Sequence, residues 1–430
     1  MKLLLISHNS IATHSNMGKT FLSMFSSLVK SDLCQFYIYP SVPDVDACNS
    51  YFRITDKDVL RFFGSFQLTG QEILPQLDQH SLFASESDQG VYRNPKNKTP
   101  LRMLARDLLW KFAPWYTKEL QNWLDKEAPE CIFVAPGTAK FLYDIALKVS
   151  KKRGIPIVTY VCDDYYFVQP AGSVLGKIQQ YLLHRKIERL MEHTCHLVTI
   201  CDEIKSLYYR RFSIPATTVM TGSNYPIADS VSVANSIRCV TYMGNIRCNR
   251  YHSLCKIGRA LDRINTASGS EFQLKIYSAE ADSNILAHFD GISSIKFMGY
   301  VSGEEFDQVF HSAEALLHTE AFDEASIDLV KHSVSTKIAD SLGSGIPLLA
   351  YGPKGIASME HLLRNNCAFC ITEQESLEEK LLEFFQNAPL RKTLAENALK
   401  TAEKFHNQEI QSRILRERIS DIIHQHTKNT

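Results

Sequence analysis

The chain is 430 residues long, with 44% hydrophobic, 22% charged and 10% aromatic residues. That composition excludes a disordered or fibrous chain, and the length allows about two to three domains. Forty-seven basic residues balance forty-seven acidic ones, which disfavours a nucleic-acid binder that relies on many phosphate contacts.

The balance conceals a split: residues 1–228 carry 26 basic and 21 acidic side chains, the remainder 21 and 26. The opening MKLLLIS is too short for a secretory core, and no apolar run reaches the roughly 18 residues of a membrane span. Eleven scattered cysteines include one lone C-x-x-C, Cys367 and Cys370. Without a second pair this reads as buried thiols in a reducing cytoplasm rather than a zinc or redox site.

Short apolar runs predict strands near 2–7, 36–39, 131–135, 156–161, 197–201 and 217–221 in the first half. In the second half they fall near 239–243, 273–277, 294–298, 314–318, 346–351 and 367–371. Each has the length and apolar character of a buried parallel strand, and helical patterns lie between many of them. Strand–helix alternation in both halves predicts two doubly wound α/β domains. The polar, aperiodic stretch 222–237 reads as a linker. Residues 40–100, punctuated by Gly64, Gly70, Pro75, Gly90, Pro95 and Pro100, read as an insertion of short helices and loops. The last forty residues read as helix throughout.

Ligands of open parallel sheets bind beyond the carboxyl ends of strands, so those positions carry the functional reading. After the first strand, Gly18-Lys19-Thr20 invites a phosphate-loop reading, but Thr13 stands where the first glycine is required. A strand–loop–helix turn, with Gly18 permitting a close backbone approach, is the plainer alternative. After strand 156–161, Asp163, Asp164 and Tyr165 offer two carboxylates and a ring that suit sugar hydroxyls; solvated loop acids are the alternative. The D-x-D pairs at 44–46 and 56–58 resemble metal-holding pairs but read as surface loops. His193 and His196 read as ordinary residues of a helix end.

In the second half, Gly244 ends a strand and is followed by Asn245, Arg247, Asn249 and Arg250. Guanidinium donors beside a helix start suit a diphosphate. Further on, Glu320 follows a strand. Ser335 or Thr336 then caps a helix carrying Lys337 and Asp340 on one face, and Gly345 closes it. A cation and a carboxylate so placed suit a phosphate and a ribose.

With these residues in place the chain resembles the glycosyltransferase family 4 enzymes. The resemblance rests on YMGNIRCNRYHSL and, above all, on SVSTKIADSLGSGIPLLAYGP. It implies a GT-B fold: two Rossmann-like doubly wound parallel-sheet domains facing a cleft, with a C-terminal helix crossing back to the first. The implied boundaries are 1–228 for the acceptor-binding domain, 229–405 for the nucleotide-sugar domain and 406–430 for the returning helix. It implies a retaining glycosyltransferase of surface-polysaccharide assembly that needs no metal or cofactor beyond its nucleotide-sugar co-substrate.

By the same resemblance Glu320, Arg250, Lys337 and Asp163 are catalytic. Gly18, Gly244, Asn245, Phe322, Ser335, Thr336 and Asp340 join Arg250, Glu320 and Lys337 around the donor. Asp163, Asp164 and Tyr165 face a saccharide or polyprenyl-linked acceptor. The family's two glutamates are eight positions apart, whereas Glu320 and Asp340 are twenty apart; Asp328 has the literal spacing but lacks the L-x-S-G-x-P context. All three tryptophans, 110, 115 and 123, lie among basic residues in 102–124. That segment reads either as a peripheral contact with the inner membrane face or as an ordinary helix pair broken at Pro114. An epimerase or phosphorylase on the same fold, and a phosphate-loop NTPase, are the competing readings.

Overall fold

The structure is a computed structural model that describes residues 1–13, 15–76, 99–168, 173–280 and 282–429. Gly90 and Pro95 of the predicted insertion lie outside the described residues. The chain divides into two compact units, Met1–Met220 with Gln408–Thr430, and Thr221–Asn407.

The first unit is built on an eight-stranded sheet. Its strands are β1 (Leu3–Ser7), β2 (Leu33–Tyr37), β3 (Ser50–Arg53), β4 (Gln71–Ile73), β5 (Cys131–Ala135), β6 (Ile157–Val161), β7 (Thr194–Thr199) and β8 (Ala216–Thr218). Their spatial order is β4-β3-β2-β1-β5-β6-β7-β8, parallel except for β4. Every residue of β1, β2, β5 and β6 is buried, so both sheet faces are covered, as a doubly wound sheet requires. The chain winds outward from β1 through β2 and β3, then resumes on its other side at β5. The switch point, and the crevice it opens, therefore lies beyond the carboxyl ends of β1 and β5.

The second unit repeats the plan with six parallel strands. These are β9 (Cys239–Met243), β10 (Gln273–Tyr277), β11 (Ile295–Gly299), β12 (Leu316–Thr319), β13 (Leu348–Tyr351) and β14 (Phe369–Ile371), in the order β11-β10-β9-β12-β13-β14. Its switch point lies between β9 and β12. Core side chains such as Val240, Leu254, Leu274, Leu317, Leu349 and Phe384 form one buried cluster.

Several expectations shift. The insertion supplies β3 and β4, which extend the sheet from β2. The predicted terminal helix breaks at His406-Asn407 into Ala388–Phe405 and Gln408–Asn429. The second piece returns to the first unit, where Leu415, Ile419, Ile422 and Ile423 pack with Leu3, Phe21 and Met24. His196 lies inside β7 rather than on a helix, bonded to Thr217 at 2.9 Å.

The D-x-D pairs are structural. Asp44 accepts from the Thr13 backbone N–H at 2.8 Å, and Asp58 closes a capping box with Thr55. Cys367 and Cys370 are free thiols. The tryptophans turn inward: Trp110 stacks on Phe141 at 4.2 Å and donates to Asp56 at 2.7 Å, and Trp123 donates to Ser50 at 2.7 Å. Trp115 is buried beneath Lys148. Rings committed to the core cannot rest on a bilayer, so that part of the membrane reading fails.

Candidate functional site

In the second unit, a cavity of about 100 Å³ opens at the switch point between β9 and β12. Asn245, Arg250, Glu320, Ser335, Lys337 and Asp340, drawn from three separate stretches of sequence, line it together.

Arg250 opens the helix Arg250–Ser268. It is aimed by an unusual turn: Cys248 and Asn249 both adopt left-handed backbone, φ 56° and 57°. Non-glycine residues enter that region reluctantly, and two in succession suggest a turn shaped for position. The turn separates the two arginines. Arg247 is exposed and pairs with Glu280 at 2.6 Å, whereas Arg250 enters the cavity. Its Nη2 and Nε reach Glu320 Oε2 at 2.8 and 2.9 Å.

Glu320 follows β12 and is fixed through its backbone. Its N–H donates to Tyr351 O at 2.9 Å, and its carbonyl accepts from Ser253 Oγ at 2.8 Å. Burial pushes its carboxyl above the usual range, against the pull of Arg250 and Lys337. Burial alone would lower Arg250, but Glu320 outweighs it and holds the guanidinium above its ordinary value.

Lys337 opens the helix Lys337–Gly343. Burial, with Arg250 beside it, lowers its pKa to about 8, while Asp340 and Glu320 pull the other way. Its ammonium lies over Gly244, where a Cβ would collide with Nζ. That close approach explains the glycine at the end of the strand. Asp340, one turn along, accepts from the Asn224 backbone N–H at 2.6 Å, Asn224 Nδ2 at 3.0 Å and Ser223 Oγ at 3.3 Å. Asp328 does not line the cavity. Thr336 holds the cap position without a capping bond, and Phe322 packs on Tyr351 at 4.8 Å, outside the cavity wall.

Sequence reasoning missed three contributors. His318, inside β12, lines the cavity, and its buried Nε2 has no hydrogen-bond partner among the described residues, lying 3.5 Å from Glu320 Oε1. Burial and the neighbouring cations lower it to about 3, so it is neutral at physiological pH. Phe306 and Phe310 form an aromatic wall, with Tyr225 stacked on Phe310 at 5.3 Å. Period-two alternation within β12 was the only available signal for His318; the other two rings come from a helix that carries no motif.

A second cavity, about 950 Å³, lies in the first unit beyond β1, β5 and β6. Asp163 and Tyr165 line it, and Tyr165 donates to Asp163 at 3.1 Å. Asp164 is turned away: it is buried and accepts from the N–H groups of Tyr166 and Phe167 at 3.0 and 2.9 Å, so it caps its own loop. Gly18 is packed so tightly on Ala12 and Ser15 that a Cβ would strike the Ala12 carbonyl. It sits within the helix Asn16–Met24, and Thr20 is buried on that helix. The helix is already under way at Asn16, so Gly18-Lys19-Thr20 forms no loop around a phosphate, and with Thr13 in place of the first glycine these residues do not support the NTPase reading.

A family described as glycosyl transferase-like matches residues 257–415. No curated protein matches the chain by sequence. Solved structures do resemble it. Anabaena Alr3699/HepE in complex with UDP superposes with a TM-score of 0.63 at 11% identity, covering 98% of this chain and 100% of that one. Sucrose-phosphate synthase from Thermosynechococcus elongatus gives 0.60 at 9%, covering 99% and 100%. WaaG, a glycosyltransferase involved in lipopolysaccharide biosynthesis, gives 0.53 at 12%, covering 96% and 99%. At such identities the likeness speaks for architecture alone: the chain has the GT-B fold, and residues 257–415, most of them in the second unit, carry the glycosyl transferase-like pattern.

Proposed function

We propose that the protein is a glycosyltransferase that moves a sugar from a nucleotide-sugar donor to a saccharide or polyprenyl-linked acceptor. The single observation that carries this is the convergence of Arg250, Lys337 and Glu320 in one cavity at the switch point of the second sheet. As the glycosidic bond to the donor breaks, negative charge develops on the leaving diphosphate. Two cations already in place, half-buried Arg250 and the cavity-lining Lys337, can stabilise that charge, each contributing about 3 kcal/mol in such settings. Asp340 offers a carboxylate to ribose hydroxyls. In the first unit Asp163, positioned by Tyr165, receives the acceptor hydroxyl and takes its proton as the new bond forms.

The UDP complex of Anabaena HepE and the lipopolysaccharide role of WaaG support a nucleotide-sugar donor and an envelope polysaccharide as product. Retention of anomeric configuration, independence of metal and a cytoplasmic place of action belong to this reading through the resemblance to family 4.

The test is a thermal-shift screen of UDP, GDP, ADP and their common sugar conjugates, followed by product analysis by NMR. One nucleotide class should raise the melting temperature by mass action, and its sugar should appear on an acceptor with its anomeric configuration unchanged. Donor turnover without an acceptor would favour an epimerase or phosphorylase, and no shift with any nucleotide would remove the reading.

A further inference from the structure

Arg250 serves the site only if the turn in front of it keeps its shape. Cys248 and Asn249 both lie in the left-handed region, which single asparagines visit but consecutive non-glycine residues seldom do. Such a conformation persists only where its surroundings fix it. Within the turn, the Arg250 N–H reaches Arg247 O at 3.4 Å, a long hydrogen bond. Asn249 holds the cap position of the helix Arg250–Ser268, yet its side chain makes no capping bond. An asparagine there ordinarily accepts from the free N–H groups of its own helix. Here the amide reaches across to another stretch of chain: Nδ2 donates to Asp323 Oδ2 at 3.2 Å and to Ser326 Oγ at 3.3 Å.

Asp323 caps the helix Glu324–Val330. Its Oδ1 accepts the Ser326 N–H at 3.0 Å, which leaves Oδ2 for Asn249. Burial works against its charge, but the bonds from Ser326 and Asn249 hold the carboxyl below its usual range, so it stays ionised at neutral pH. The same stretch grips the start of the helix Arg250–Ser268 at two further points. Glu320 Oε2 holds Arg250, and the Glu320 carbonyl accepts from Ser253 Oγ at 2.8 Å. Asp323 and Ser326 lie in the interval between Glu320 and Asp340, whose length sets this chain apart from the family it resembles.

A ligand acts differently on these grips. A diphosphate at Arg250 competes with Glu320 for the guanidinium, so that pair loosens as the ligand binds. Asn249, Asp323 and Ser326 do not line the cavity, so their bonds can stay in place. We infer that Asn249 and Asp323 are positioning residues: their hydrogen bond holds the 248–249 turn in its left-handed shape and keeps Arg250 aimed into the cavity while Glu320 releases it. That the ligand is a donor diphosphate rests on the glycosyltransferase reading; the hold on the turn does not.

The test uses the full chain with Asn249→Gly, which accepts left-handed backbone but has no amide, and Asp323→Ser, which can still cap its own helix but is too short to reach Asn249. Without ligand, amide hydrogen exchange across residues 247–254 should quicken about tenfold in both variants, with little change in melting temperature. In calorimetric titrations of pyrophosphate, UDP, GDP and ADP, those that bind the wild-type protein should bind each variant about tenfold more weakly. Asn249→Asp sets two carboxylates against each other and should weaken binding further. Adding Asp323→Asn restores the bond with its direction reversed and should recover most of the loss. A contact that only stabilised the fold would lower the melting temperature and leave the affinity of the folded protein unchanged. Unchanged exchange in Asn249→Gly and Asp323→Ser, or wild-type affinity in either, overturns the inference. Quickened exchange in a protein that binds none of the four ligands removes the donor reading and leaves the hold on the turn standing.

Discussion

Arg250 holds Glu320 through two donors on a single carboxylate oxygen, Oε2, leaving Oε1 turned towards His318. Both partners are largely buried, so each stabilises a charge the other would otherwise leave uncompensated. Breaking a buried pair from one side typically costs about 3–5 kcal/mol. Arg250→Ala should therefore lower stability as well as donor binding. Adding Glu320→Gln should restore much of the stability but none of the binding, because the cation stays missing. Denaturation and nucleotide titration of the two single variants and the double variant form the cycle that checks this.

Lys337 gives the site a pH dependence of definite sign. Its free-state pKa is lowered to about 8, chiefly by burial. A bound diphosphate favours the protonated form and raises that value again. Donor affinity should hold below pH 8 and fall as pH rises through it, when binding must first restore the proton. Lys337→Gln should bind weakly at every pH and lose the decline above 8. An unchanged profile in the variant would assign the titration elsewhere.

Gly244→Ala separates site geometry from folding. The added methyl meets the end of the Lys337 side chain, a flexible neighbour that can move aside. Melting temperature should change little while nucleotide affinity drops by about tenfold, the loss expected when one charge-assisted contact is displaced. A large loss of stability with normal affinity would reverse the account of this glycine.

Asp340 already accepts from three donors of Ser223 and Asn224, the Asn224 amide reaching both carboxylate oxygens. If its carboxylate also takes ribose hydroxyls, a nucleotide competes with Asn224 for it. Asp340→Ala should weaken nucleoside diphosphate binding more than pyrophosphate binding, and Asn224→Ala should strengthen it. Equal losses for both ligands in Asp340→Ala would leave Asp340 only as the anchor of the 223–224 turn.

Buried neutral histidines make the fold sensitive to acid. His361 and His406 meet at 3.1 Å, and burial first of all lowers them to about 3 and about 4. Unfolded histidine titrates near 6.5, so between about 6.5 and 4 the unfolded chain binds more protons and stability falls with pH. Each such group contributes up to about 1.4 kcal/mol per pH unit in that window. His361→Gln should give a shallower decline of melting temperature between pH 7 and 5; an identical slope would contradict the assignment.

The central strands were legible because both faces of each are covered, which leaves unbroken apolar runs such as LLLIS and CIFVA. β4 was not, because an exposed three-residue edge strand has no such signature. Glu320, Arg250 and Lys337 could be picked out because they follow strands or open helices. Residue type alone does not separate Arg247 from Arg250; the family resemblance singled out Arg250, and the left-handed turn at 248–249 brings it, rather than Arg247, into the cavity. The tryptophans misled because a helix with one buried and one exposed face places Trp110 and Leu108 two residues apart on opposite sides.

The most direct measurement is calorimetric titration of UDP, GDP and ADP into the wild-type protein and into Lys337→Ala and Arg250→Ala. The account predicts saturable binding of one of them, weakened about tenfold or more in each variant. Binding by none of the three, or undiminished binding in both variants, would contradict it.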